Sequence, residues 1–77
     1  MNDALVRELA PAVLQILVRR GAEFAPAEDA VQEALIRALA AWEAEPPRDP
    51  KGWLITTAWR ILIDSQRSET ARLAREE

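Results

Sequence analysis

Hydrophobic residues recur at three- and four-residue spacing in three stretches of the chain, which is the pattern of helices that bury one face. Glycine and proline fall between these stretches, and the pattern predicts helices over about 2–20, 26–43 and 50–67 or beyond. Gly21 follows the first stretch as a candidate C′ residue. Short connections between three helices predict an all-α fold, a small three-helix bundle formed by one domain over residues 1–77.

Prolines and acidic residues predict how the individual helices begin and bend. Pro11 lies inside the first helix, which we expect to be kinked or split there. Pro26 is expected to open the second helix, with Glu28 and Asp29 in its first turn. Asp49-Pro50 is typical of an N-cap followed by proline at the first helical position.

The composition argues against an enzyme and against a membrane protein. The 77 residues contain no cysteine and no histidine, which removes disulfides, a thiol nucleophile and the usual zinc and haem ligands. No glycine-rich phosphate loop and no nucleophile with a neighbouring base are present, so we expect no catalysis, metal or cofactor. Without an apolar run of about 20 residues or a basic leader, a cytoplasmic location is expected.

The charge is distributed unevenly along the chain, although the net charge is only −3. Residues 27–50 carry two arginines against six acidic residues, whereas residues 51–77 carry five basic residues against four acidic ones. A protein that coats DNA through bulk positive charge would be far more basic, because phosphate contacts dominate such binding. Bulk positive charge alone therefore does not hold this chain to a nucleic acid.

The second helix has a polar face with one aliphatic residue at its centre. At 100° per residue, the side opposite the core carries Asp29, Gln32, Glu33, Ile36 and Ala40. An exposed Ile36 is ordinary for a protein surface, and Glu33–Arg37 is typical of a stabilising pair within a helix. The same residues are equally typical of an apolar anchor within an acidic surface that binds a basic partner.

The third helix interleaves aromatic and basic residues on its outward side. Trp53, Thr56, Arg60, Ile63 and Arg67 share this side, and Trp59 lies at its flank. Bases of single-stranded nucleic acid stack on such rings and guanidinium groups, and Arg48 and Lys51 lie next to this surface. The alternative is that the tryptophans cover the edge of the bundle as amphipathic core residues.

Two sequence motifs resemble those of a known family. Residues 27–38 (AEDAVQEALIRA) resemble the AEDxVQExxxRA helix of bacterial sigma factors. Residues 50–58 (PKGWLITTA), with Asp64 and Arg67 beyond, resemble the P-x-x-W-L-x-T-x-A…D-x-x-R helix that follows it. Because both motifs occur in order and at the usual separation, the chain is identified as resembling conserved region 2 of extracytoplasmic-function (ECF) sigma factors.

The resemblance implies two partners. It implies that Asp29, Gln32 and Glu33 dock on the clamp helices of the RNA polymerase β′ subunit, and helical geometry adds Ile36 and Leu39. It also implies that the third helix and the loop 43–49 recognise the minus-ten promoter element and hold a base flipped from the non-template strand. The DNA-binding residues expected on this basis are Arg48, Lys51, Trp53, Thr56, Thr57, Trp59, Arg60, Ile63 and Arg67.

The chain also departs from the family pattern. Ala58-Trp59-Arg60 stands where many relatives have Ala-Arg-Asn, so the base preference of those relatives does not transfer. The domain that reads the minus-thirty-five element has no counterpart here, and we expect the chain to be a fragment, with a natural single-domain protein as the alternative. Anti-sigma proteins sequester domains of this kind and are a further expected partner. The alternative functions are a helical protein–protein adaptor without DNA binding and a self-associating helical domain.

Overall fold

Three α-helices account for nearly all of the structure, a computed structural model that describes residues 3–76. Helix α1 spans Asp3–Arg19, α2 spans Phe24–Ala41 and α3 spans Pro50–Glu76. All three helices contact one another, which confirms the all-α three-helix bundle. Within the described part of the chain, no helix is long and apolar enough to cross a membrane.

Helix α1 continues unbroken through Pro11, so of the two expected outcomes, a kink or a split, the split is wrong. A proline in a helix lacks the N–H that would bond the carbonyl four residues earlier, here that of Arg7. Pro11 lies on the exposed side, where water can solvate the freed carbonyl. Burial of Val6 and Val13 on either side of the proline ties both halves of the helix to the same core. Leu5, next to Val6 in the sequence, is 43% exposed and lies outside that core.

The C-terminus of α1 is closed by a Schellman motif centred on Gly21, as the sequence predicts. Gly21 has φ +106°, a backbone conformation that side-chain-bearing residues rarely adopt. The N–H of Ala22 donates to the carbonyl of Leu17 (3.1 Å), and the N–H of Gly21 donates to that of Val18 (3.0 Å). This arrangement makes Arg20 the C-cap residue and fixes the backbone position from which its side chain extends.

Helix α2 begins at Phe24, two residues before the predicted start at Pro26. Its first intrahelical hydrogen bond runs from the N–H of Ala27 to the carbonyl of Glu23 (3.0 Å). The first three N–H groups of a helix have no partner within it, so proline is tolerated at the third position as well as the first. The prediction that Glu28 and Asp29 lie in the first turn is therefore wrong.

The core lies where the three helices meet, and it is built largely from small residues on α2. Alanines at these positions let the neighbouring helices approach closely, and larger side chains from α1 and α3 fill the space between them. The buried residues are Val6, Val13, Leu17, Ala27, Ala30, Val31, Ala34, Ala38, Trp42, Leu54, Ala58 and Leu62. Within the described part of the chain, no charged side chain is buried.

Helix α3 extends well beyond the bundle. Leu62 is its last buried residue, and residues 64–74 are exposed on every side. An exposed ion pair between Arg72 and Glu69 (2.6 Å) and a hydrogen bond from the Thr70 hydroxyl to the Gln66 carbonyl (3.0 Å) accompany this stretch. Residues 64–76 are called the α3 extension below.

The start of α3 is fixed by the Asp49 side chain, as the Asp49-Pro50 sequence predicts. Oδ1 of Asp49 accepts a hydrogen bond from the N–H of Gly52 (3.1 Å), and the Asp49 carbonyl accepts one from Trp53 (2.9 Å). A Cβ atom at position 52 would collide with the Asp49 carboxylate, so glycine allows this close capping contact.

Replacing Asp49 with alanine is expected to lower the free energy of unfolding by about 1 kcal/mol, because the N–H of Gly52 loses its acceptor. For a domain of this size the loss corresponds to a fall in Tm of roughly 4–8 °C, measurable by circular dichroism. Asp49→Ser is the matched control because serine also caps helices. Equal Tm values for the alanine and serine variants would contradict a capping role.

Candidate functional site

One candidate surface lies on the solvent side of α2. Asp29, Gln32, Glu33 and Ile36 are all exposed there, and they are called the acidic face below. Ile36 is 62% exposed, a high value for an aliphatic side chain. It lies one helical turn from both Gln32 and Glu33, so polar and acidic groups border it on its N-terminal side.

Glu33 forms an ion pair with Arg37 one turn further along the acidic face. The Arg37 Nε–Glu33 Oε1 distance is 3.4 Å, and both side chains remain about half exposed. A pair of this length between solvated side chains stabilises a helix by only a few tenths of a kcal/mol. The Glu33 carboxylate can therefore exchange Arg37 for a basic group of a partner at little cost.

Leu39, which helical geometry adds to this surface, is half-buried. It packs against the core cluster beside the acidic face instead of standing out from it.

A shallow groove adjoins the acidic face at the seam between α2 and α3. Its volume is about 310 Å³, and Asp29 lies on its wall, so the groove and the acidic face form one continuous surface. The wall is otherwise largely apolar. The lining residues are Ala25, Pro26, Asp29, Ala30, Ile61, Leu62 and Ser65.

A second candidate surface is the outward side of α3, called the α3 outer face below. Thr56, Arg60 and Arg67 are exposed there, and Ile63 between them is half-buried. Seven residues separate the two arginines, which places them two turns or about 10 Å apart along the helix. Within the part of the chain whose side chains are described, neither arginine forms an ion pair.

The two tryptophans of α3, predicted on the outward side and at its flank, contact different neighbours. Six residues separate Trp53 from Trp59, so they point roughly 120° apart around the helix axis. The Trp53 ring makes an edge-to-face contact with Trp42 at the end of α2, with centroids 5.2 Å apart and planes at 75°. The Trp59 ring lies under the guanidinium of Arg20, whose Cζ is 5.5 Å from the ring centroid. Both rings are half-buried and pack against the core cluster.

The loop that joins α2 to α3 carries the remaining predicted DNA contacts. Arg48 in this loop and Lys51 in the first turn of α3 are exposed, whereas Thr57 is half-buried. Trp42 at the start of the loop is 3% exposed, and its Nε1–H is buried without an acceptor in the described structure. The edge-to-face contact with Trp53 therefore joins the base of the loop to the first turn of α3.

Sequence reasoning missed the contact between Arg20 and Trp59. The C′ glycine at position 21 predicts that residue 20 caps α1, but Trp59 is 39 positions further along the chain. Only the packing of α1 against α3 brings the guanidinium over the ring. No local signal in the sequence encodes that contact.

Comparison with known protein families decides the identity of this domain. A family model described as Sigma-70 region 2 matches residues 5–72, which covers all but the ends of the chain. The chain belongs to the sigma-70 region 2 family. This family is a non-enzymatic part of transcription initiation factors, and it acts in promoter recognition together with RNA polymerase.

One curated relative of this sigma-70 region 2 domain is an uncharacterized protein of Rhizobium meliloti (strain 1021). The two are 40% identical over 65 residues, which is 83% of this chain but only 15% of the relative. The chain thus corresponds to a small part of that longer protein. No solved structure matches the chain.

Proposed function

We propose that this sigma-70 region 2 domain is of the ECF type and that its two exposed surfaces have different partners. The acidic face docks on the clamp helices of the RNA polymerase β′ subunit. The α3 outer face and the loop 43–49 hold the non-template strand of the minus-ten element, including a flipped base. Both activities belong in the cytoplasm. The proposal is carried by the presence, within one family domain, of an acidic and a basic exposed surface on separate helices.

Charge and apolar exposure support docking through the acidic face. Asp29 and Glu33 steer a basic partner toward the surface, and Ile36 at its centre supplies apolar area that a partner would bury. The groove beside Asp29 offers further apolar contact area next to the same residues. A basic helix with an apolar stripe has the complementary chemistry.

The exposed arginines support strand binding by α3. Arg60 and Arg67 can bind two phosphates along one strand, because no ion pair within the described side chains occupies them. A flipped base needs a preformed site, because unstacking costs a few kcal/mol. The Asp49 cap and the Trp42–Trp53 contact hold the junction between the loop and α3 in a defined geometry.

Removing Arg60 is expected to weaken DNA binding without changing polymerase binding. In complexes of the chain with core RNA polymerase, Arg60→Ala should raise the Kd for labelled single-stranded oligonucleotides of randomised sequence roughly fivefold, or about 1 kcal/mol. The physical reason is the loss of one charge-assisted phosphate contact. Fluorescence anisotropy measures this Kd for DNA, and sedimentation of the labelled chain with polymerase measures the affinity of the chain for polymerase.

Arg7→Ala is the matched control, because Arg7 is exposed on α1 and its removal changes the net charge equally. The strand-binding role would be contradicted if both the wild type and Arg60→Ala bind polymerase but neither binds single-stranded DNA. The adaptor function would then be favoured, with the half-buried tryptophans acting as packing residues.

A further inference from the structure

The contact between Arg20 and Trp59 points to a nucleic-acid contact that the family motifs do not include. We propose that Arg20, held against the ring of Trp59, binds a backbone phosphate on the flank of α3 opposite Arg60. This inference rests on the proposed strand-binding role of the α3 outer face. It adds a residue from α1 to a surface otherwise formed by α3 and the loop before it.

Arg20 is held in place from both ends of its side chain. Its backbone is the C-cap of α1, where the Schellman motif around Gly21 fixes the direction of the chain. Its guanidinium lies over the Trp59 ring, with Cζ 5.5 Å from the centroid, a distance at which cation–π attraction operates. Holding the group in advance lowers the entropy lost when it binds a ligand.

The guanidinium keeps its donors available. Arg20 is exposed, and among residues 4–74 it has no carboxylate partner. A guanidinium carries five N–H donors and no acceptor, and contact with an aromatic face uses none of them as conventional hydrogen bonds. A positive charge with free donors on an exposed surface is suited to a phosphate oxygen.

The position of Trp59 places this charge at the border of the α3 outer face. At 100° per residue, Ile63 and Thr56 lie between Trp59 on one flank of α3 and Arg60 on the other. Guanidinium groups therefore stand on both sides of the strip formed by Ile63 and Thr56. A strand lying along that strip can have phosphates bound from both flanks.

The same geometry changes the role of Trp59. One face of its ring is occupied by Arg20, and the ring as a whole packs against the core cluster. A base cannot stack on the covered face while Arg20 is there. In this inference Trp59 acts as a positioning residue for Arg20.

The salt dependence of DNA binding tests this assignment. The full chain is titrated against a fluorescently labelled single-stranded 12-mer of thymidylate at several NaCl concentrations. Each phosphate contact contributes about 0.7 to the slope of log K against log salt for single strands. Arg20→Ala should lower the slope by about 0.7. Between 50 and 200 mM salt, the fold-loss of affinity should therefore be roughly three times smaller for the variant than for the wild type.

Three further variants make the result specific. Arg20→Lys keeps the charge and should retain the wild-type slope. Arg7→Ala removes the charge of another exposed arginine of α1 and should also retain that slope. Trp59→Leu should lower the slope as Arg20→Ala does. Trp59→Phe keeps an aromatic face and should retain the wild-type slope. Melting curves confirm that each variant is folded.

The outcomes separate this inference from the proposed function. Suppose that the wild-type chain binds the oligonucleotide and that Arg60→Ala lowers the slope of log K against log salt, whereas Arg20→Ala does not. This result would overturn the Arg20 assignment and leave the strand-binding function in place. A slope reduced by Arg7→Ala as much as by Arg20→Ala would overturn it as well, because a general charge effect would then explain both. If the folded wild-type chain binds no oligonucleotide even with core polymerase present, both the strand-binding function and the Arg20 contact are wrong.

Discussion

Replacing Leu54 with alanine is expected to lower the free energy of unfolding by about 3 kcal/mol. Leu54 is 0% exposed and packs in the core close to the first turn of α3, so the shorter side chain leaves a cavity. A domain of this length has a stability of roughly 4–12 kcal/mol, so the loss removes a large share of it. The corresponding fall in Tm is on the order of 12–24 °C.

Leu73→Ala is the matched control for this prediction. It makes the same chemical change on the same helix, but Leu73 is 49% exposed in the α3 extension. Its effect on the free energy of unfolding should stay within about 0.5 kcal/mol. Thermal and urea unfolding measure both variants, and similar losses for the two would show that the extension is packed in solution. Loss of single-strand binding by Leu54→Ala near its lowered Tm would follow from the unfolding of α3.

Features determined by a few neighbouring residues could be predicted from sequence. Gly21 and Asp49 each act through hydrogen bonds within five residues, and both were assigned correctly as helix-terminal residues. The exposure of Ile36 on the solvent side of α2 could be predicted from the helical repeat alone, because the buried stripe determines which positions face solvent.

Features decided by competition between local and tertiary effects could not be predicted in this way. Proline rules predict a kink or a split at Pro11, but the helix is not split, because the buried residues on both sides outweigh one missing hydrogen bond. Phe24 and Ala25 join α2 because the unpartnered first turn tolerates Pro26 at its third position. The division of Trp53 and Trp59 between two neighbours depends on which helices flank α3, information that no short motif contains.

Reversing the charge of Glu33 is expected to cause the largest loss of polymerase binding. If the acidic face docks on the clamp helices as proposed, its partner surface is basic, and Glu33→Lys replaces an attraction to that surface with a repulsion. The combined effect should be about 2–3 kcal/mol, or roughly 30- to 150-fold in Kd. Titration of the labelled chain with an isolated β′ clamp-helix fragment measures this affinity. Glu8→Lys makes the same charge change at an exposed position of α1 and should leave the Kd nearly unchanged.

The ion pair between Glu33 and Arg37 provides the decisive comparison for the acidic face. If Glu33 serves only to stabilise α2, Arg37→Ala and Glu33→Gln should behave alike, because each breaks the same weak pair. If Glu33 binds the polymerase, Arg37→Ala frees the Glu33 carboxylate and removes a positive charge from the docking surface, so the affinity for polymerase should stay equal or increase. Glu33→Gln should lower that affinity. Parallel loss of binding in both variants would contradict the docking role and leave the pair as a feature of helix stability.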